Sequence, residues 1–247
     1  MKSGKEPPMG KVRKFIFVIA LLVFIGSAGY LLQHYLKGKA EQNEFESLRV
    51  NGGHNLEALY KENPDIVGWV QIKDSIIDYP VMQTKDDPEF YLRRNFKKED
   101  SLAGTPFLDA QSDLTRPSWN WMIYAHNMKN GTMFHTLLDF EKKEYYDKRK
   151  TFTFDTLDQY GGPAEYEIAA AFYTQIYPED SKEFKYYDYV DVTSEEVYNE
   201  YVRNIKAQSI YDTGITPEYG QQLVTLSTCS YQVEDGRFVV VGRKIEK

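Results

Sequence analysis

The stretch QLVTLSTCSYQVEDGRFVVVGRKI, residues 222–245, decides the fold. Two runs rich in apolar and β-branched residues, 222–228 and 237–245, flank the polar segment SYQVEDG, a pattern typical of two strands joined by a loop. Six more short runs of the same kind lie upstream, bounded by turn residues: IVGWVQI (66–72), IIDYPVM (76–82), TPFLD (105–109), WNWMIYA (119–125), TFTF (151–154) and EYEIAAAFYTQIY (165–177). Eight short strands predict a mostly β domain, either a sandwich or a barrel.

Two helices are predicted between these strands. The first follows the turn signal Asn130-Gly131, with Thr132 as its N-cap and with apolar residues at helical spacing at Met133, Phe134, Leu137 and Leu138. The second begins at the capping box Thr193-x-x-Glu196 and has five apolar residues on one face: Val197, Tyr198, Tyr201, Val202 and Ile205. We expect both helices to pack on the sheet.

The N-terminal part of the chain carries an apolar run, FIFVIALLVFIGSAGYLL, at residues 15–32. As a helix these residues span about 27 Å, close to the roughly 30 Å of a bilayer core. Basic residues concentrate before the run, so the positive-inside rule predicts a single-pass anchor with a cytoplasmic head (1–14) and the remainder outside. A cleaved signal peptide is the alternative, because small residues at 26–29 resemble a cleavage site. Residues 33–63 are predicted to form a polar stalk and residues 64–247 the globular domain.

Charge and cysteine content exclude several classes of protein. With 37 acidic against 30 basic residues the net charge is −7, which argues against nucleic-acid binding, since that requires clustered Lys and Arg. The single cysteine, Cys229, excludes an intrachain disulfide. The sequence contains no H-E-x-x-H motif and no aspartate-rich loop, so we expect neither a metal nor a cofactor.

Three side chains are candidates for chemistry. Cys229 lies where a predicted buried strand meets a loop, and a thiol needs a basic or cationic neighbour to act as a nucleophile. His126 follows the strand 119–125 and is expected to be better displayed than His135, which falls inside the predicted helix. Arg237 begins the last strand, and a hairpin would bring it to Cys229. The structural alternatives are a buried cysteine, an ordinary hydrogen-bonded histidine and a solvated arginine.

These residues resemble a known family. The segment TLSTC at 225–229 followed by Arg237 resembles the TLxTC and downstream arginine signature of the sortases, and IYAHNM at 123–128 resembles the histidine segment of class B sortases. Further class B resemblances lie at NPDIVGW (63–69), YPV (79–81), Tyr91-Leu92 and YDTG (211–214), and the order of all these segments matches. Two departures are Ala125, where the family commonly has glycine, and Ser230-Tyr231, where some class B members carry acids.

The resemblance implies an eight-stranded β-barrel and a membrane-bound transpeptidase of a Gram-positive bacterium. In it, Cys229 would attack the carbonyl after the Thr of a sorting signal, His126 would transfer protons, and Arg237 would orient the signal and stabilise the oxyanion. Leu92 and Ser227 would line the groove for the signal. The implied partners are secreted proteins that carry an NPQTN-like signal, and a peptidoglycan precursor or cross-bridge amine.

Two other functions remain open from the residues. A secreted cysteine peptidase would use the same nucleophile and pass the acyl group to water. A non-catalytic, membrane-tethered β-barrel that binds a wall component would keep Cys229 as core filler.

Overall fold

The computed structural model describes residues 10–50, 53–115 and 118–246. The chain divides into two compact units, with the boundary between Asn43 and Glu44. The first unit is dominated by helix α1 (Lys11–Ser47), whose most apolar 18-residue window has a mean hydropathy of 2.6 and is not buried. By length and composition α1 can cross a membrane, and it contains the predicted span 15–32. Residues 1–9 of the predicted basic head lie outside the described residues.

Eight strands of the second unit close into a barrel, which confirms the predicted fold. The strands are β3 (Ile66–Gln71), β4 (Asp78–Met82), β5 (Phe107–Leu108), β6 (Asn120–Tyr124), β7 (Thr151–Thr156), β8 (Glu165–Gln175), β9 (Leu223–Cys229) and β10 (Gly236–Lys244). Neighbouring strands follow the order β10-β8-β7-β3-β4-β5-β6-β9, and only the pairs β4–β5 and β6–β9 among the barrel strands of the described residues are parallel. Each of the eight predicted runs overlaps one of these barrel strands.

The last two strands are rich in apolar residues because both of their faces are buried over most of their length. Val224 and Leu226 of β9 belong to one core cluster, together with Phe238 and Val240 of β10. Leu223, Val239 and Val241 point the other way, into a second cluster. Helix α4 (Glu195–Gln208) covers that second face. A strand buried on both faces reads as a continuous apolar run rather than an alternating one.

The predicted helices exist, with shifted starts. The cap of α4 is Ser194, whose side chain accepts a hydrogen bond from the Val197 amide, so the predicted cap at Thr193 is wrong by one residue. Tyr198, Tyr201, Val202 and Ile205 are buried as predicted, whereas Val197 is 39% exposed.

The other predicted helix is a 3-10 helix, His135–Glu141, followed by α3 (Lys143–Lys148). Met133 has a positive φ of 57°. No helix can start at Thr132 for that reason, and the predicted cap there is also wrong. Three further 3-10 turns lie at Phe90–Arg93, Asp158–Tyr160 and Tyr186–Asp188.

The second half of the predicted stalk is part of the folded unit. Residues 44–63 contain the end of α1, a small hairpin of β1 (Arg49–Val50) and β2 (Gly53–His54), and helix α2 (Leu56–Glu62). Phe45, Leu48 and Leu59 are buried in a third core cluster, and Arg49 forms an ion pair with Asp78 of β4. Apolar residues at helical spacing, such as Leu56 and Leu59, extend over only one or two turns here and are interrupted by Gly52-Gly53, so the sequence predicts a stalk up to residue 63. The compact unit of the structure begins at Glu44.

Candidate active site

Two parallel strands bring His126 and Cys229 to the same end of the barrel. The register of β6 and β9 pairs Tyr124 with Ser227, and the Ala125 amide donates to the Ser227 carbonyl at 3.2 Å. His126 and Cys229 each follow two residues after that pair, His126 just beyond the end of β6, and both line the same cavity. The Thr228 hydroxyl donates to the Ala125 carbonyl at 2.7 Å and holds the two chains together at this end.

The hairpin predicted from the sequence places Arg237 opposite Cys229. The two residues are register partners in the antiparallel pair of β9 and β10, and such partners have Cβ atoms about 4.5–5.5 Å apart on one face of the sheet. The Arg237 Nη1 atom donates to the carbonyls of Asp235 and Gly236, at 3.1 and 2.9 Å. These bonds to its own loop leave the other guanidinium donors available.

All five residues predicted from the sequence line one cavity. Cys229, His126, Arg237, Leu92 and Ser227 surround a space of about 400 Å³. The wall is completed mainly by aromatic and aliphatic side chains: Phe107, Tyr124, Ile176, Tyr186 and Tyr187. A thiol, an imidazole and a guanidinium therefore face a partly apolar cleft, which is the set of groups needed for covalent acyl transfer.

The surroundings of His126 determine which ring nitrogen carries the proton and in which direction the pKa of the imidazole is shifted. Its Nε2 atom lies 3.0 Å from the Leu92 carbonyl oxygen, and because a carbonyl only accepts, Nε2 carries the proton. Burial lowers the pKa of His126; the Leu92 carbonyl opposes this shift, and the nearby Arg93 charge adds to it. Leu92 therefore contributes its backbone carbonyl to the site as well as its place in the cavity wall.

A glycine keeps the Leu92 carbonyl in place. Gly104 has a positive φ of 62°, and a Cβ atom on it would lie 2.5 Å from the Leu92 carbonyl oxygen and 2.6 Å from that of Tyr91. Both the backbone angle and the close approach exclude any side chain at this position. Nothing in the sequence alone connects Gly104 to the histidine.

Ser227 acts on the cavity through a tyrosine. Its hydroxyl lies 2.7 Å from the Tyr186 hydroxyl, and both residues are buried. Burial raises the pKa of Tyr186 to about 12, so the pair remains neutral at physiological pH. Sequence reasoning missed Tyr186, although the aromatic-rich segment KYYDY at 185–189 was an available signal.

The two histidines differ from expectation in exposure. His135 is exposed, whereas His126 is only half-exposed, so the prediction that His126 is the better displayed of the two is wrong. Its place in the cavity beside Cys229 nevertheless singles it out. Sequence reasoning also missed Asn127, whose side-chain amide donates to the Cys229 carbonyl at 3.0 Å.

Comparison with known proteins agrees with this geometry. The family model of the sortase domain matches residues 70–245. The chain is 34% identical over 195 residues to sortase B of Listeria monocytogenes, covering 78% of this chain and 74% of that protein. The X-ray structure of Clostridium perfringens sortase B superposes with a TM-score of 0.68 at 30% identity, covering 78% of this chain and 100% of that one. The Staphylococcus aureus sortase B–substrate complex gives a TM-score of 0.68 at 27% identity, with coverage of 87% and 97%.

The chain belongs to the sortase family, whose members are cysteine transpeptidases. Its relatives and structural neighbours are sortases of class B, and this chain is a class B sortase.

Proposed function

We propose that this sortase anchors secreted proteins to the cell wall. It cleaves a C-terminal sorting signal after a Thr, holds the protein as a thioacyl-enzyme on Cys229, and transfers it to a wall amine. The proposal rests mainly on one observation: Cys229, Arg237 and His126 line one cavity, and Cys229 and Arg237 are direct register partners.

The first half-reaction forms the thioacyl-enzyme. Cys229 attacks the carbonyl carbon of the Thr as its thiolate, so no thiol proton has to be removed in this step, and negative charge develops on the carbonyl oxygen. Arg237 donates hydrogen bonds to that oxygen, and a guanidinium suits this task because it stays charged and presents several donors. As the C–N bond breaks, protonated His126 gives a proton to the leaving amine. Because burial lowers the pKa of His126, its protonated form is a stronger acid and a minor species at neutral pH.

The second half-reaction reverses these roles. The incoming amine attacks the thioacyl carbon, neutral His126 accepts its proton, and the sulfur leaves as the new amide forms. Two easier steps replace one difficult step, as in other covalent catalysis. The peptide bond broken and the amide bond formed balance, so no external energy source is required.

The cavity is the proposed groove for the sorting signal. The Staphylococcus aureus relative has been solved with its substrate, and the same groove in this chain would be lined by Leu92 and Ser227. Ser227 would act here by holding Tyr186 against the wall, since its hydroxyl is already bonded. An NPQTN-like signal fits the resemblance to class B.

Helix α1 is the proposed membrane anchor, with the N-terminus in the cytoplasm and the barrel outside. Its apolar side chains are exposed within the described residues, and basic residues precede its apolar run at 15–32. The acceptor at that location is a peptidoglycan precursor or cross-bridge amine.

Mass spectrometry of Cys229 after incubation with a panel of sorting peptides tests the proposal. We expect a thioacyl adduct with a Thr-containing signal and a ligated product once a cross-bridge peptide is added. Adduct formation must disappear in Cys229→Ala. Proton transfer is typically worth about 10²- to 10⁴-fold, and His126→Ala should lose at least that much turnover. Release to water despite an excess of amine would identify a peptidase, and an unalkylatable thiol would identify a binding protein.

Arg237 has its own test in the same assay. Loss of one oxyanion donor costs about 10²- to 10³-fold in kcat, so Arg237→Ala should fall at least that far and Arg237→Lys should restore little. Arg203→Ala is the matched control, because it removes an exposed arginine of α4 that does not line this cavity. Near wild-type kcat/KM in Arg237→Ala would remove this residue from the mechanism.

A further inference from the structure

Strand β6 ends one backbone hydrogen bond, or one rung of the β6–β9 ladder, before it would reach Cys229. The last rung joins the Ala125 amide to the Ser227 carbonyl, and the next acceptor on the same edge of β9, two residues on, is the carbonyl of Cys229. The backbone of Asn127 has turned away by then and forms an isolated bridge with Met133. The Asn127 side chain supplies the missing donor instead, with Nδ2 at 3.0 Å from the Cys229 oxygen.

The orientation of this amide is fixed by a second partner. Asn127 Oδ1 lies 2.8 Å from Nδ1 of His135. An amide oxygen only accepts, so His135 must carry a proton on Nδ1. Neutral His135 in that tautomer and the imidazolium both satisfy this requirement. Asn127 itself is only 6% exposed, so water does not readily replace either partner.

A third hydrogen bond joins the segment around Asn127 to the segment around Cys229, with the donor now on the cysteine side. The Tyr231 hydroxyl, from the loop after the cysteine, donates to the Asn127 backbone carbonyl at 3.0 Å. The histidine segment thus donates to the cysteine segment through Asn127, and the cysteine segment donates back through Tyr231. Together the bonds fix the backbone on which the thiol is mounted relative to the backbone that carries His126.

We propose that Asn127 is a positioning residue for the nucleophile. Its amide replaces the missing rung, fixes the Cys229 carbonyl and so sets the direction in which the thiol projects toward the scissile carbonyl, with His135 holding the amide in the donating orientation. The inference rests on the proposed role of Cys229 as nucleophile. Misplacement of a reacting group by about 1 Å can cost about 10²-fold in rate, so a lost rung at this position should reduce the chemical step.

Asn127→Asp is the sharpest variant because it preserves shape. The carboxylate still accepts from His135, but it presents an oxygen instead of an N–H to the Cys229 carbonyl. We expect kcat for transpeptidation to fall about 10- to 100-fold while KM stays within about twofold of wild type. Asn204→Asp is the matched control, because it removes an amide donor to a backbone carbonyl on the exposed face of α4.

A second pair of variants guards against a folding defect at Asn127. His135 is exposed, so His135→Ala should fold normally and lower kcat about 3- to 10-fold, and His135→Gln should restore activity if its amide donates to Asn127 Oδ1. Rescue by glutamine is not expected of a residue that only fills space. Wild-type kcat in both Asn127→Asp and His135→Ala would overturn the proposal, as would a loss confined to KM.

A substrate-independent measurement separates this proposal from the proposed function. The limiting rate of Cys229 alkylation by iodoacetamide, reached at high pH where the thiol is fully ionised in every variant, reports the placement of the thiol without any peptide and without the effect of the new carboxylate on its ionisation. We expect it to be at least about threefold slower in Asn127→Asp than in wild type and unchanged in Asn204→Asp. If wild type transferred no sorting peptide, the proposed function would fail while alkylation still decided the role of Asn127. Equal alkylation rates together with equal kcat would refute that role.

Discussion

Removing one hydroxyl of the buried pair formed by Tyr186 and Ser227 should destabilise the barrel, and removing both should restore much of the loss. The two oxygen atoms lie 2.7 Å apart, and the residues are 0% and 1% exposed. Tyr186→Phe leaves the Ser227 hydroxyl buried without this partner, and Ser227→Ala leaves the Tyr186 hydroxyl in the same state. The variants Tyr186→Phe, Ser227→Ala and their combination form a double-mutant cycle.

The magnitude follows from the cost of an unpaired buried polar group. That cost is about 1–3 kcal/mol, whereas replacing both partners by apolar groups is nearly neutral. For a folded unit of about 200 residues, 1 kcal/mol shifts Tm by about 2–4 °C. Each single variant should therefore melt about 4–8 °C lower at a mid-range cost of about 2 kcal/mol, and the double variant should return to within about 2–4 °C of wild type.

Chemical denaturation and thermal melting at pH 7 measure the cycle. The pKa of Tyr186, about 12, keeps ionisation out of the measurement. A contrasting pair lies two residues earlier on β9, where the Tyr201 hydroxyl meets the Thr225 hydroxyl at 2.7 Å and Thr225 also donates to the Asn120 amide oxygen at 2.8 Å. Tyr201→Phe with Thr225→Ala should not recover, because Asn120 Oδ1 is left without that donor. Additive losses for Tyr186→Phe and Ser227→Ala would refute the reasoning.

Three further predictions concern the site and its support. Burial lowers the pKa of His126 below its ordinary value of 6.5, so near and below that pH the unfolded chain binds more protons than the folded chain. The free energy of unfolding should therefore fall as the pH is lowered from 7, and it should fall less steeply in His126→Gln. Gly104→Ala, which displaces the carbonyl that holds His126, should lower both Tm and kcat, whereas Gly161→Ala, with φ 111° but nothing within 4 Å, should affect stability alone. Deletion of residues 1–43 should leave Tm and activity intact, whereas deletion of 1–63 removes three buried core residues, each worth about 1.5–3 kcal/mol, and should yield a poorly folded protein by circular dichroism.

The barrel could be predicted from the sequence because its strands are buried on at least one face and bounded by turn residues. Burial on both faces explains the continuous apolar stretch at 238–241. Alternating burial along TFTFDT at 151–156 reflects one half-buried and one buried face. The segment 44–63 carries neither signal. Its packing depends on single residues such as Phe45 and on the ion pair of Arg49 with Asp78, which are contacts with distant parts of the chain that no local pattern encodes.

The residues of the site also differ in whether a local pattern in the sequence reveals them. Cys229, His126 and Arg237 could be proposed as site residues from the sequence because each carries reactive chemistry and lies at or just beyond a strand end, where the sheet displays a side chain. Asn127 carries no such chemistry, and its importance arises only from register: the carbonyl of Cys229 needs a donor, and the neighbouring strand has already ended. A sequence identifies the groups that react, whereas the groups that hold them are defined by which backbone hydrogen bonds the fold leaves unmade.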